Sequence, residues 1–327
     1  MKSPLLQVNN LKVNFVIDKR NQLTAVENVS FSLEKGKTLG IVGESGCGKS
    51  VTATSIMRLL PKKTGRIADG SILFHGADIL KFSEKEMCNI RGNRISMVFQ
   101  DPMTALNPVY SIGQQLVEAI RAHDKTVKKA EAYERSVKML EKVGIPLPER
   151  RINDYPHQLS GGMRQRVMTA MALLSNVELL IADEPTTALD VTIQAQILEL
   201  IAELQNSYQM AIILITHDMG VVSDMADDVL IMYAGEVVEY GDVGSLFRTP
   251  LHPYTFGLLQ SIPRMDNDVE ELYTIPGVVP TLSEMPGGCR FSTRCQERLG
   301  RCTVEKPSLF ELGDRKVRCW KYEKDGA

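Results

Sequence analysis

Residues 43–50 read GESGCGKS. They match the pattern G-x-x-x-x-G-K-[ST], with Gly43, Gly48, Lys49 and Ser50 at the fixed places and Gly46 as an extra glycine. Glycines at such places let successive backbone N–H groups turn inward around phosphate oxygens. The helix expected to begin there adds the positive end of its dipole. Lys49 has the length to reach β- and γ-phosphates, and the Ser50 hydroxyl is a Mg²⁺ ligand. Glu44, Ser45, Cys47 and Val51 complete the stretch that touches the nucleotide. The flanks fit: 37–42 is a short apolar strand running into the loop, and 49–60 has helical spacing closed by Pro61. This stretch alone predicts binding of a nucleoside triphosphate.

Working outward, 179–182 is an apolar strand that ends in Asp183 and Glu184. A carboxylate at that edge suits Mg²⁺, and the next suits a water that must be polarised for attack. Residues 192–205 form an amphipathic helix, followed by a second apolar run at 211–215. This strand–helix–strand order predicts an α/β fold with a mostly parallel sheet. Segments 229–232 and 236–240 read as a closing hairpin around Ala234-Gly235.

The N-terminal part, 5–17 and 24–33, alternates apolar and polar residues as half-buried strands do. Residues 71–74 and 95–99 look like further strands. From 113 to 143 the period becomes helical, with Ile112, Leu116 and Ile120 and then Tyr133, Val137 and Leu140 on the predicted buried stripes. Another helix is expected over 164–174. After about residue 245 the chain turns to Pro, Gly and Cys, which marks an extension.

Bulk composition narrows the partners. The net charge of −2 on 327 residues carries no basic excess of the kind nucleic-acid binders show. Residues 1–10 lack the apolar core of a secretory signal, and no apolar run approaches the roughly 18 residues a membrane helix needs. The expectation is a protein whose membrane role comes through partners. Four of the six cysteines, Cys289, Cys295, Cys302 and Cys319, crowd the last forty or so residues. In a reducing compartment a cluster of thiols points to a metal rather than to disulfides.

With these residues in place, the chain resembles the ABC ATPase family. LSGGM at 159–163 is similar to the family's signature motif, with Met163 where glutamine is common. Gln100 in VFQDP resembles the Q-loop, Ala188-Leu189-Asp190 the D-loop and His217 in ITHD the switch histidine, while Phe15 stands where an adenine-stacking aromatic lies. The resemblance implies a RecA-like P-loop NTPase core with an N-terminal antiparallel β subdomain over 1–100 and 176–245. It implies a helical subdomain over 101–175 and a C-terminal extension over 246–327. It also implies head-to-tail dimers, with Ser160, Gly161 and Gly162 of one subunit meeting the γ-phosphate held by the other. By the same carry-over, Ser50, Gln100 and Asp183 hold Mg²⁺, and Lys49, Gln100, Glu184 and His217 assist hydrolysis of ATP.

FQDPMTALNP at 99–108 and TPLHPYTFGL at 249–258 narrow the resemblance to the dipeptide/oligopeptide/nickel importer branch. That branch implies two transmembrane permease subunits, a second ATPase that is a paralogue or a second copy, and an extracytoplasmic binding protein. It implies a place at the cytoplasmic face of the membrane, with peptide ahead of nickel as cargo. It also implies a 4Fe–4S cluster on the four C-terminal cysteines. Their C-x₅-C-x₆-C-x₁₆-C spacing lacks the short C-x₂-C pairs of zinc ribbons, with zinc and free thiols as alternatives. Arg290, Arg294, Arg298, Arg301 and Arg318 offer charge to offset such a cluster, or form a solvated basic surface. A soluble ABC ATPase acting on nucleic acid or the ribosome is a competing reading. No room for a coiled coil lies between Gln100 and Ser160, and a single cassette is present, both of which count against it.

Overall fold

The computed structural model describes residues 3–18, 21–101, 105–187, 190–262 and 273–323. In chain order the strands are β1 (Leu6–Val16), β2 (Gln22–Leu33), β3 (Thr38–Val42), β4 (Gly65–Phe74), β5 (Ala77–Asp78), β6 (Ile95–Val98), β7 (Leu179–Asp183), β8 (Ala211–Thr216), β9 (Asp228–Tyr233), β10 (Glu236–Asp242), β11 (Phe310–Leu312) and β12 (Arg315–Val317). The helices are α1 (Lys49–Ile56), α2 (Glu84–Ile90), α3 (Ile112–His123), α4 (Lys129–Lys142), α5 (Pro148–Arg151), α6 (Gly161–Ala172), α7 (Val191–Tyr208), α8 (Met219–Met225), α9 (Val243–Arg248) and α10 (Pro253–Gln260). They fall into two compact units. The first comprises Met1–Glu34, Thr38–Leu80 and Leu214–Ala327, the second Lys35–Lys37 and Lys81–Ile213.

In the first unit, β2, β1, β4 and β5 form an antiparallel sheet in that order. This is the half-buried alternation expected from the N-terminal sequence. A second run of strands starts at β3, which pairs in parallel with β9 from Leu39↔Asp228 to Val42↔Ile231. β9 and β10 make the expected hairpin, with Glu236 opposite Tyr233. Its two-residue turn places Ala234 at φ 47° and Gly235 at φ 87°, the left-handed pair a tight right-twisted hairpin requires. The C-terminal segment does not stand apart from this sheet. β12 pairs with β10, and β11 with β12, so the extension adds two edge strands to it. Tyr233, Tyr254, Phe291 and Leu246 pack into one buried cluster beneath them, each large side chain contributing about 1.5–3 kcal/mol of burial.

Helix α1 is shorter than its spacing predicts. It stops at Ile56 because Arg58 turns left-handed at φ 50°, and its guanidinium donates to the Ile79 carbonyl.

The second unit holds the parallel pair β6 and β7, in register from Ile95↔Leu179 to Val98↔Ala182, and most of the helices. Ile112, Leu116 and Ile120 of α3 are buried as expected. The stripe of α4 differs: Ala132, Ser136, Met139 and Leu140 are buried, while Tyr133 faces outward. Spacing places Tyr133 on the inner stripe with Val137 and Leu140, but the buried face runs through Ala132 and Ser136. Small Ala132 and Ser136 instead let α4 approach its neighbours, with the Ser136 hydroxyl satisfied by the Ala132 carbonyl at 2.7 Å. α7 buries Ile197, Leu200, Ile201 and Leu204 at 3.6-residue spacing. The division between the units runs through β8, all six of whose residues are buried. Among the described residues no helix is long and apolar enough to cross a membrane.

Candidate functional site

The loop of the first unit is built as its sequence predicts. Gly46 and Gly48 take φ 78° and 102°, and Gly48 caps α1. Thr52 fastens the first turn by donating its hydroxyl to the Gly48 carbonyl at 2.9 Å. Lys49 is buried. Its ammonium donates to the carbonyls of Gly43 at 2.6 Å and Glu44 at 3.2 Å, so the one cation of the loop is fixed on the loop's own backbone. Ser45, Gly46 and Ser50 face solvent, while Val51 is half-buried. Burial pushes the Cys47 thiol up, which keeps it neutral, and the Cys47 carbonyl accepts from Gly235 at 2.9 Å. Cys47 thus ties the loop to the β9–β10 turn.

In the same unit, His217 follows β8 directly and is exposed. Asp218 after it caps α8, accepting from the N–H groups of Gly220 at 2.8 Å and Val221 at 3.3 Å. Phe15 is half-buried in β1, opposite Leu23 and Gly65.

The second unit gathers a polar cluster at the end of β7. Asp183 is its last, buried residue. Glu184 follows at φ 45°, in the left-handed region that non-glycine residues enter at a cost of about 1 kcal/mol or more. This twist aims its carboxylate sideways: Glu184 Oε2 accepts from Gln100 Nε2 and from Thr187 Oγ1, each at 2.9 Å. The sequence gives Gln100 and Glu184 separate roles by resemblance and does not pair them. Thr187 was missed, although a hydroxyl three residues beyond a turn carboxylate is a recognisable local pattern.

Ser160 is the N-cap of α6, its hydroxyl accepting from the Met163 N–H at 3.3 Å. Gly161 is exposed and Gly162 half-buried on the first turn. Gly162 has a packing reason of its own, since a Cβ there would come within 2.8 Å of Ile193 Cγ2. Asp190 caps α7 by accepting from Ile193 N–H at 3.0 Å. Ala188 and Leu189, like residues 102–104 of the stretch after Gln100, lie outside the described residues.

Comparison with known proteins then decides the family. A profile described as "ABC transporter" matches residues 26–187, and one described as "Oligopeptide/dipeptide transporter, C-terminal region" matches 238–302. The chain is 52% identical over 326 residues to the oligopeptide transport ATP-binding protein AppD of Bacillus subtilis, covering 99% of both chains. It is also 52% identical over 317 residues to OppD of Salmonella typhimurium, covering 97% of this chain and 93% of the relative. A solved ATP-binding cassette, a dimer in a post-hydrolysis state bound to ADP and Pi, matches with TM-score 0.65 and 26% identity over 73% of this chain and 98% of that one. The chain belongs to the ATP-binding subunits of oligopeptide/dipeptide ABC transporters. It is an ABC-type ATPase, with ATP and Mg²⁺ as its ligands.

The C-terminal region of this transporter ATPase leaves one expectation without support. Cys289, Cys295, Cys302 and Cys319 do line a single cavity, and the Cys289 N–H donates to the Cys302 carbonyl at 2.8 Å. The cavity is only about 20 Å³, room for about one water. Among the described residues no group of three or more His, Cys, Asp or Glu side chains is placed to hold a metal ion. A 4Fe–4S cluster has no room among the four thiols as they stand, and their present placement gives zinc no support either. Burial, reinforced by the neighbouring thiols, pushes the Cys289 thiol up to about 12 and raises Cys295 and Cys319. Four of the five arginines expected to balance a cluster are engaged elsewhere: Arg290 pairs with Glu27, Arg294 with Glu44, Arg301 with Glu323 and Glu305, and Arg318 donates to the Val237 and Pro307 carbonyls, whereas the charge of Arg298 acts on Cys295.

The HPYT segment has a structural function that sequence alone did not give. His252 caps α10, its Nδ1 accepting from the Tyr254 N–H at 3.1 Å, and Pro253 fills the first helical position. The N–H groups of Leu251 and His252 both donate to the buried Glu239 carboxylate, at 3.0 and 2.8 Å, and Arg315 completes its pairing at 2.6 Å.

Proposed function

We propose that this subunit powers peptide import by binding Mg-ATP at residues 43–51 and hydrolysing it in a head-to-tail dimer. Lys49 and the loop N–H groups would hold the phosphates, and Ser50, Gln100 and Asp183 the Mg²⁺. Glu184 would polarise the attacking water, His217 would steady the γ-phosphate and Phe15 would stack on adenine. Ser160, Gly161 and Gly162 of a second ATPase, self or paralogue, would close the site at the N-terminus of α6, where a helix dipole favours an anion. Asp190 would lie beside that junction. Two permease subunits and an extracytoplasmic binding protein would complete the transporter and hold the chain at the cytoplasmic face of the membrane. Peptide is favoured over nickel because both relatives named above are oligopeptide transport ATP-binding proteins.

The observation that carries this reading is the Gln100–Glu184–Thr187 cluster. A carboxylate oriented by the Gln100 and Thr187 side chains on a strained turn suits a water-polarising group. The decisive experiment follows phosphate release against protein concentration. Turnover per chain should rise with concentration as dimers form, while Mg-ATP binding by the monomer persists. Fast, concentration-independent hydrolysis by a proven monomer would rule out the shared site.

The 4Fe–4S cluster is retained as a proposal for a rearranged form of the cysteine region. Its support is the convergence of four soft thiol ligands on one cavity. Protein purified without oxygen should then be brown and carry iron and sulfide in stoichiometric amounts. Colourless, iron-free protein would end the idea, and zinc in its place would select the alternative.

A further inference from the structure

The phosphate loop is gripped at its second residue by side chains that lie far along the chain. Tyr254, fully buried on α10, accepts the Glu44 N–H through its hydroxyl at 2.9 Å. Arg294 turns one arm of its guanidinium onto the Glu44 carboxylate, with Nη1 at 3.0 and 2.8 Å from the two oxygens. The other donors of Arg294 are fixed by main chain, Nε to the Pro276 carbonyl at 2.9 Å and Nη2 to that of Ile275 at 3.1 Å. Only 5% of the Arg294 side chain is exposed. The third polar group of Glu44, its carbonyl, accepts from Lys49. Thus the N–H, the side chain and the carbonyl of one loop residue each have a separate partner.

We propose that Arg294 and Tyr254 are positioning residues for the phosphate loop, setting its affinity for Mg-ATP from the C-terminal region. Two physical reasons carry this. A loop that binds phosphate through aimed N–H groups binds more tightly when its backbone is ordered in advance, because the ordering cost no longer falls on binding. A carboxylate inside an anion-binding loop opposes the anion. Arg294 neutralises Glu44 and holds it to one side. Lysine cannot replace this function, since it lacks the planar fork that meets a carboxylate and two carbonyls at once. Tyr254 is itself placed by His252 and Glu239, so the HPYT segment reaches the nucleotide loop through this one hydroxyl. The inference rests on the ATP-site reading and deepens it.

The test compares Arg294→Lys, Glu44→Gln, the double variant, Tyr254→Phe, and Arg301→Lys as a control whose partners lie elsewhere. Equilibrium binding of Mg-ATP, steady-state kinetics and thermal unfolding are measured on the full chain. Arg294→Lys should bind Mg-ATP about tenfold more weakly and raise KM by a similar factor, with kcat within about twofold, the pattern of lost uniform binding. Its unfolding temperature should stay near that of the parent. Tyr254→Phe should weaken binding by about threefold. The distinguishing result is the double variant: because the two residues act through one contact, Arg294→Lys should cost much less in a Glu44→Gln background than in the parent, a coupling that a merely structural Arg294 would not produce. Arg301→Lys should bind as the parent does. Unchanged binding by Arg294→Lys, or the same loss from it in the parent and Glu44→Gln backgrounds, overturns the proposal. Lys49→Ala tests the site itself. If it binds Mg-ATP as well as the parent, the ATP-site reading fails and takes this inference with it.

Discussion

Gln100 Nε2 donates to Glu184 Oε2 at 2.9 Å, joining residues 84 positions apart at the ends of two neighbouring parallel strands. The contact places an uncharged amide against a carboxylate that follows a Mg²⁺-suited aspartate. Replacing Glu184 by glutamine keeps the shape and removes the base. Phosphate release by Glu184→Gln should fall by about 10²–10⁴-fold, the usual worth of a positioned general base. Mg-ATP binding should persist within a few-fold. Turnover equal to the parent would remove Glu184 from the chemistry.

Ser160 separates two functions that share one hydroxyl. As N-cap of α6 it accepts from Met163 N–H, and aspartate caps equally well. Ser160→Asp should therefore unfold at nearly the parent temperature. In a dimer whose sites close on this helix end, its charge would meet the γ-phosphate and suppress hydrolysis at least tenfold. A folded Ser160→Asp protein with full activity would show that the hydroxyl serves only the helix.

His252 predicts a pH dependence of stability. Burial, with Arg318 nearby, pushes its pKa down to about 3 in the folded protein, against about 6.5 in an unfolded chain. Folding thus excludes a proton that the unfolded chain binds. The stabilisation is fully present above about pH 6.5 and is lost as pH falls toward about 3, with a slope of up to about 1.4 kcal/mol per pH unit. Urea midpoints between pH 7 and 5, above the range where most carboxylates titrate, should fall in the parent. They should fall less in His252→Asn, which keeps a capping side chain and loses the titration. Equal slopes would mean that His252 is not the group responsible.

The hairpin turn gives a purely structural prediction. Gly235 sits at φ 87°, and a Cβ there would lie 2.5 Å from the Ala25 carbonyl oxygen and 2.9 Å from Arg290 Nη1. Gly235→Ala combines backbone strain with a clash against main chain and should cost about 2 kcal/mol or more. Chemical denaturation would measure it. A loss below about 0.5 kcal/mol would show that the turn relaxes freely.

Much of this was legible in the chain itself. The P-loop, the strand ending in Asp183-Glu184 and the Ala234-Gly235 turn are local patterns, in which residue type, spacing and dihedral preference act within a few positions. α1 and α4 show where such reading stops. The early end of α1 depends on a tertiary bond from Arg58 to Ile79, and the buried stripe of α4 depends on which neighbours demand small side chains.

The cysteines mark the same boundary. Their count and spacing suggested a metal site, but only folding could decide whether four thiols converge, and on a space of what size. Sequence by itself determined the ATPase chemistry, because phosphate binding is written in contiguous loops and the ends of strands. Tertiary structure alone decided that Thr187 joins Gln100 on Glu184, that the last strands extend the core sheet, and that Arg294 and Tyr254 hold Glu44. Those relations bridge as many as 250 residues, and no local preference encodes a contact that exists only when distant segments are packed together.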